Sequence, residues 1–204
     1  MTALKEKTIA LTFDDGPSPD TTPMLLDILS AYKVPASFCV LGSLVSTNEE
    51  ILQRIVSLNC EIVNHSWNHE NLTKYPEAEI EENIRRTDAE IFRACGVRTR
   101  FFRPPYGATN PPLMAVTQRL GKPQLLWMVD SEDWKLRNAP DIIPAVLHAA
   151  DNKAIVLMHD IYRSSCEAAA VIIPELLKQG YELKTVSDLL KHRNPCPGQI
   201  YGHG

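Results

Sequence analysis

Two adjacent carboxylates, Asp14 and Asp15, follow the apolar run Thr8-Ile9-Ala10-Leu11-Thr12-Phe13 and precede Gly16-Pro17. The run reads as a short buried strand, and the Gly-Pro pair stops it. Both acids therefore emerge at a strand's C-terminal end, where α/β folds build their sites. Two like charges side by side need a cation, a metal or a shared proton to hold them. The plain alternative is an Asx-type turn with two solvated acids, and the pair alone does not decide. Further on, His65-Ser66-Trp67-Asn68-His69 puts two imidazoles at i, i+4, a spacing that lets them grip one cation. The familiar helical zinc motif has Glu after the first His as general base. Here Ser66 takes that position, so the base must come from elsewhere, and Asp14 or Asp15 is available. Two His and one Asp leave a tetrahedral metal an open position, as in catalytic rather than closed structural sites. Such a metal lowers the pKa of bound water to about neutral. Read plainly, the two imidazoles are surface or capping histidines, a reading that weakens beside Asp14-Asp15.

Strand-like and helix-like stretches alternate around these residues. Strands are expected at 8–13, 36–41, 61–64, 99–103, 124–129, 154–158 and 182–185. Helices are expected at 20–33, from Asn48 (a candidate cap) with Ile51, Leu52, Ile55 and Val56 inward, and at 76–95, 113–120, 140–150, 166–179 and 186–192. Seven strands in βα alternation imply a parallel sheet covered by helices. Asp14, Asp15, His65, Arg103, Asp130 and His159 all fall just past strands, so five strand ends point to one face. Residues 194–204 are rich in Pro and Gly and are expected to be loosely held.

The 204 residues suit one domain, and 44% hydrophobic content supports a sizeable core. A net charge of -4 without a basic block argues against a nucleic-acid or membrane surface. No apolar run approaches the roughly 20 residues of a membrane span. Residues 1–7 carry no hydrophobic signal core. Either the protein stays in the cell, or a leader or neighbouring domain is absent from this sequence. Five cysteines without a CxxC pair indicate neither a thiolate zinc site nor a disulfide framework. Cys39, Cys60 and Cys95 read as small buried hydrophobes, Cys166 and Cys196 as more exposed. His148, His192 and His203 read as satisfied or solvated, and Trp127 as core.

Five segments in order carry a family resemblance: Thr12-Phe13-Asp14-Asp15-Gly16, His65-Ser66-Trp67-Asn68-His69, Arg103-Pro104-Pro105-Tyr106, Asp130-Ser131-Glu132-Asp133-Trp134 and Leu157-Met158-His159. Together they resemble the carbohydrate esterase family 4 polysaccharide deacetylases, the NodB homology domain. The resemblance implies a distorted (β/α) barrel with about seven parallel strands, spanning 1–193 as a single domain with 194–204 as a tail. It implies that Asp15, His65 and His69 bind a divalent metal, zinc first and cobalt second. Asp14 is implied as general base, with Arg103 pairing with it to hold it charged and aimed. Tyr106 offers its backbone N–H to the oxyanion, or its ring is a plain pocket wall. His159 is implied as general acid, with Asp133 bonding it and raising its pKa. Trp134 and Leu157 form an apolar floor for the acetyl methyl, a role that core packing rivals for Leu157. Asp130 braces its loop.

The implied function is metal-dependent removal of acetyl groups from a carbohydrate, with N-acetylglucosamine units of peptidoglycan or chitin oligosaccharides first and O-acetyl groups of xylan second. The loops after His69, after Tyr106 and around Asp160 to Ser165 are expected to set that choice. A silent glycan-binding domain is expected to lack an acid, base or ligand residue, and none is missing. A metal-free hydrolase with Asp14 as nucleophile leaves His65 and His69 without work. The expected partner is an acetylated carbohydrate, with no nucleic acid, no membrane span and a monomeric state. The resemblance favours a secreted or wall-associated protein over a cytoplasmic one.

Overall fold

The first strand sets the layering. The computed structural model describes residues 7–204, so Met1–Glu6 of the N-terminal stretch read above lie outside the described residues. Strand β1 (Lys7–Asp14) sends alternate residues to two cores, with Ile9, Leu11 and Phe13 outward and Ala10 inward. The same period of two turns Thr12 and Asp14 inward. Seven strands follow among the described residues: β2 (Ser37–Val40), β3 (Glu61–Asn64), β4 (Gln124–Leu125), β5 (Val129–Asp130), β6 (Ala154–His159), β7 (Tyr181–Leu183) and β8 (Ile200–Tyr201). The helices are α1 (Thr22–Tyr32), α2 (Gly42–Val45), α3 (Glu49–Ser57), α4 (Glu77–Cys95), α5 (Pro111–Arg119), α6 (Asp133–Leu136), α7 (Ala139–Ala149), α8 (Arg163–Lys178) and α9 (Val186–Leu189).

All strand pairings are parallel, and β1 is their hub. It lies between β2 and β6 and pairs its first residues with β7, while β3 lies beyond β2 and β5 beyond β6. A separate pair, β4 with β8, is joined to β3 through bridges at Phe102. The result is the expected distorted barrel. Its outer core packs β1, β2 and β6 against α1, α3, α7 and α8. Each Phe or Leu fully buried there contributes about 1.5–3 kcal/mol. The inner core is smaller: Ala10, Cys39, Val63, Phe101, Leu125 and Ile155, closed by Val186 and Leu189 of α9. With the inside filled below, the strands' C-terminal ends form the floor of a site above.

Several expectations are corrected. Residues 99–103 form no strand, because only Phe102 bridges to neighbours before Pro104-Pro105 ends the donors. The run 124–129 splits in two because it changes partner midway: the Leu126 amide donates to Tyr201 O and the Met128 amide to Ile155 O. The segment 194–204 is not loose. β8 pairs with β4, Gly198 N donates to Lys122 O at 3.0 Å, and His203 bridges Ala154. Asn48 stands at the N-cap of α3 without a side-chain cap, its Nδ2 donating instead to Leu44 O at 2.8 Å, a carbonyl at the end of α2. Cys166 is buried under Thr21 rather than exposed. All five cysteines are free. No helix among the described residues is long and apolar enough to cross a membrane.

Candidate active site

Strand register brings two titratable groups together. Asp14 and His159 end β1 and β6 as register partners, both on the inward face, with Thr12 opposite Leu157 two residues earlier. Behind Asp14 lies Arg103, fully buried, whose Nη1 donates to Asp14 Oδ1 at 2.7 Å and to Thr12 Oγ1 at 2.6 Å. Its Nη2 donates to Leu126 O at 3.1 Å. Burial opposes the guanidinium charge, but the Asp14 carboxylate overrides it and raises the Arg103 pKa. The bonds to Thr12 and Leu126 hold the guanidinium, and its charge-assisted bond to Oδ1 aims Asp14.

Behind His159 lies Asp133, also fully buried, at the start of α6. Its Oδ1 is 2.6 Å from His159 Nδ1, and its Oδ2 accepts from the His159 amide at 2.7 Å and Ser165 Oγ at 2.6 Å. Burial works against imidazolium. The hydrogen bond and charge of Asp133 outweigh it, and the His159 pKa rises to about 9.

The turn after β1 and the loop after β3 form the third part. Asp15 Oδ1 lies 3.4 Å from His65 Nε2 and 3.3 Å from His69 Nε2. One ligand atom from each of these three residues fits within 4.8 Å of the others. His65 Nδ1 lies 2.7 Å from Arg103 O, a carbonyl that only accepts, so Nδ1 carries the proton and Nε2 offers a lone pair. Asp15 Oδ1 is buried and has no hydrogen-bond donor. Burial lowers the His69 pKa, against the pull of Asp15. An orphaned carboxylate oxygen facing imidazole nitrogens fits a divalent cation with N/O ligands.

The local backbone is strained to achieve this. Asp15, Ser66, His69, Tyr106 and Glu132 all have positive φ, half of the ten such non-glycine residues described. Asn64 supports the loop: its Oδ1 accepts from the Ser66 amide, while its Nδ2 donates to Ile84 O and Asp88 Oδ1 of α4. A Cβ on Gly16 would overlap the carboxylate of Asp160, which accepts from Thr22 Oγ1 at 2.5 Å. Burial raises the Asp160 pKa to about 7.

A cavity of about 440 Å³ joins the three parts. Asp14, Asp15, His65, His69, Tyr106 and His159 line it. Trp134 and Leu157 line it as well, while Arg103 and Asp133 act from behind, through Asp14 and His159. Leu157 forms a buried floor. Trp134 does not: it is 49% exposed and forms a rim. Tyr106 is 69% exposed, its ring edge-on to His69 with centroids 4.5 Å apart. Trp127, expected as core, lines the cavity, as does Tyr162. Asp130 braces its loop by accepting from the Glu132 amide at 2.8 Å. Asp160 and Ser165 are buried and cannot select substrates directly, and the half-buried Tyr162 is that loop's contribution to the cavity wall. Sequence reasoning missed Thr12, Asn64 and Ser165. Thr12 and Asn64 adjoin site residues and were open to a strand-end argument, whereas nothing local ties Ser165 to Asp133.

The polysaccharide deacetylase family model matches residues 2–125. A peptidoglycan-N-acetylglucosamine deacetylase of Listeria monocytogenes is 41% identical over 187 residues, covering 92% of this chain and 40% of its own. A peptidoglycan-N-acetylmuramic acid deacetylase of Bacillus subtilis is 45% identical over 184 residues, covering 90% of this chain and 39% of its own. This chain thus spans about two fifths of either relative. Among solved structures, a family 4 acetyl xylan esterase from Clostridium thermocellum in complex with a cobalt ion superposes with a TM-score of 0.89 at 31% identity, over 97% of this chain and 98% of that one.

Proposed function

The chain belongs to the polysaccharide deacetylase family, and on that premise we propose that it hydrolyses acetyl groups on a carbohydrate with the help of one divalent metal ion. The observation that carries the reading is the adjacency of Asp14 and His159 in register, beside the orphaned oxygen of Asp15 and the two facing imidazoles. Asp15, His65 and His69 would hold the ion, zinc first and cobalt second. When bound, the ion supplies Lewis-acid polarisation of the acetyl carbonyl and a more acidic water.

This chain's own residues supply the proton transfers. Asp14, aimed by Arg103, which Thr12 helps to hold, accepts the proton of the attacking water. The Tyr106 amide donates to the oxygen that becomes negative. His159, held as imidazolium by Asp133, donates to the departing nitrogen or oxygen of the sugar. Leu157 takes the acetyl methyl, with Trp134 at its edge. Acid and base stand on neighbouring strands, so each reaches its own side of the scissile bond.

N-deacetylation of N-acetylhexosamine units in peptidoglycan or chitin oligosaccharides is the first reading, supported by the activities named for the two bacterial relatives. Xylan ester cleavage is the second, supported by the esterase neighbour. Action at the cell wall follows from the first reading. The test is acetate release from chitooligosaccharides, peptidoglycan and acetylated xylan, with and without chelator. Release is expected from an N-acetylated glycan, lost in chelator and restored by zinc or cobalt. Undiminished activity in chelator removes the metal, release from xylan alone makes the enzyme an esterase, and no release from any glycan removes the activity.

A further inference from the structure

The loop that carries His65 and His69 is held by side chains rather than by a sheet or helix ladder. The Ser66 amide donates to Asn64 Oδ1 at 3.0 Å, the Trp67 amide to Asn83 Oδ1 at 2.8 Å, the Asn68 amide to Glu70 Oε2 at 2.9 Å and the His69 amide to Ser66 Oγ at 3.0 Å. Asn64 also touches the other side of the site, since its backbone oxygen accepts from the Arg103 amide at 2.9 Å. Arg103 in turn offers its carbonyl to His65 Nδ1 and its guanidinium to Asp14. The direction in which the Asn64 amide faces therefore bears on ligand and base alike.

What fixes that direction lies outside the site. Asn64 Nδ2 donates to Ile84 O and to Asp88 Oδ1, both at 2.9 Å. A carbonyl and a carboxylate only accept, so they hold the amide's NH2 end and leave Oδ1 to Ser66. Ser66 sits at a φ of 71°, a backbone that persists only when its surroundings hold it. Asp88 is itself pinned. Its Oδ1 accepts from Thr99 Oγ1 as well, and its Oδ2 pairs with Lys122 Nζ at 2.9 Å. Lys122 is 5% exposed and donates also to Thr99 O and Oγ1. Asp88, Thr99 and Lys122 line a separate cavity of about 480 Å³, which shares no lining residue with the catalytic one.

We propose that Asp88 is a positioning residue for the metal site, acting through Asn64 on the loop from His65 to His69, with Lys122 and Thr99 as its anchor. This deepens the metal-dependent reading and rests on it. A buried ion pair that served the fold alone would spend both carboxylate oxygens on its own partners. Here one oxygen is turned to the loop, and groups that orient metal ligands from behind set how tightly the ion is held.

The test separates metal binding from stability. The whole chain is stripped of metal with a chelator, freed of the chelator and titrated with zinc, and the zinc dissociation constant is set beside the urea midpoint of the metal-free form. Asp88→Ala removes the acceptor and strands Lys122, so zinc affinity is expected to fall about tenfold and the midpoint to drop. Asp88→Asn strands Lys122 too but keeps an oxygen for Asn64. Its midpoint should drop while its zinc affinity stays within about threefold of the parent's. Asp88→Ala combined with Lys122→Met leaves no stranded charge and should regain stability, yet stay about tenfold weaker for zinc. This double variant carries the test if the single Ala variant does not fold. Parental zinc affinity in the double variant, or a fall in Asp88→Asn as large as in Asp88→Ala, overturns the positioning role. A parent chain that takes up no zinc overturns the metal reading itself, and the positioning role with it.

Discussion

The two halves of the site are built to different degrees of completeness. On the acid side, the protein satisfies itself: both Asp133 oxygens are engaged, one by His159 Nδ1 and the other by the His159 amide and Ser165. On the other side, Asp15 Oδ1 is buried without a donor, and His65 turns a lone pair towards it. Acceptors facing one another at 3.3–3.4 Å are costly unless a cation sits among them. One half is therefore finished by folding, the other by binding. A proton shuttle needs a fixed geometry and a tuned pKa, which hydrogen bonds alone provide. A Lewis acid site needs vacant lone pairs, which the protein must leave unspent.

The sharpest test of this contrast replaces one residue on the binding half. His65→Ala and Asp14→Asn are each expected to lower kcat/KM by about a thousandfold or more. Only His65→Ala should also lose the rise in thermal midpoint on adding zinc, since linkage raises stability only where the ion binds. Equal zinc responses in both variants would break the division. On the acid half, His159→Ala is expected to cost about a hundredfold on an N-acetyl sugar and far less on an activated aryl acetate, whose leaving group needs no proton. An equal loss on both substrates removes the acid role.

Asp133→Asn sharpens the same half through pH. The acid must be protonated, so activity is expected to fall as pH rises through the His159 pKa, raised to about 9 before any ion is bound. A bound cation repels imidazolium and lowers that limb in the loaded enzyme. Removing the Asp133 charge leaves burial, which favours neutral imidazole, so the alkaline limb should move down by about one unit or more. A limb that stays in place contradicts the pairing. Smallest is Ser165→Ala, expected to cost about 1 kcal/mol in stability and less than tenfold in rate, since Asp133 keeps His159 when it loses Ser165. Urea unfolding and the pH–rate profile measure the two effects.

Legibility followed sequence distance. The segment from Thr12 to Gly16 declares itself, because an apolar run, two acids and a Gly-Pro stop lie within a few residues. The His65–His69 spacing is likewise local. The long helix α4 has its starting Pro76 and its ending Gly96 in plain view. Where pairing decided the outcome, reading failed. Residues 99–103 have the composition of a strand but few backbone partners, and residues 194–204 have the composition of a loose tail but find β4. Trp127 packs on the inner core as expected but also lines the cavity, and Cys166, expected at the surface, goes under Thr21.

The sequence by itself determined the alternating βα order and the residue types able to bind a cation or move a proton, because these are properties of neighbouring residues. Only the tertiary structure decided that Asp14 stands in register with His159, that Ser165 reaches Asp133, and that Asp15 Oδ1 is left without a donor. Register, burial and the closing of distant loops are set by packing over the whole chain, and no window of residues contains them.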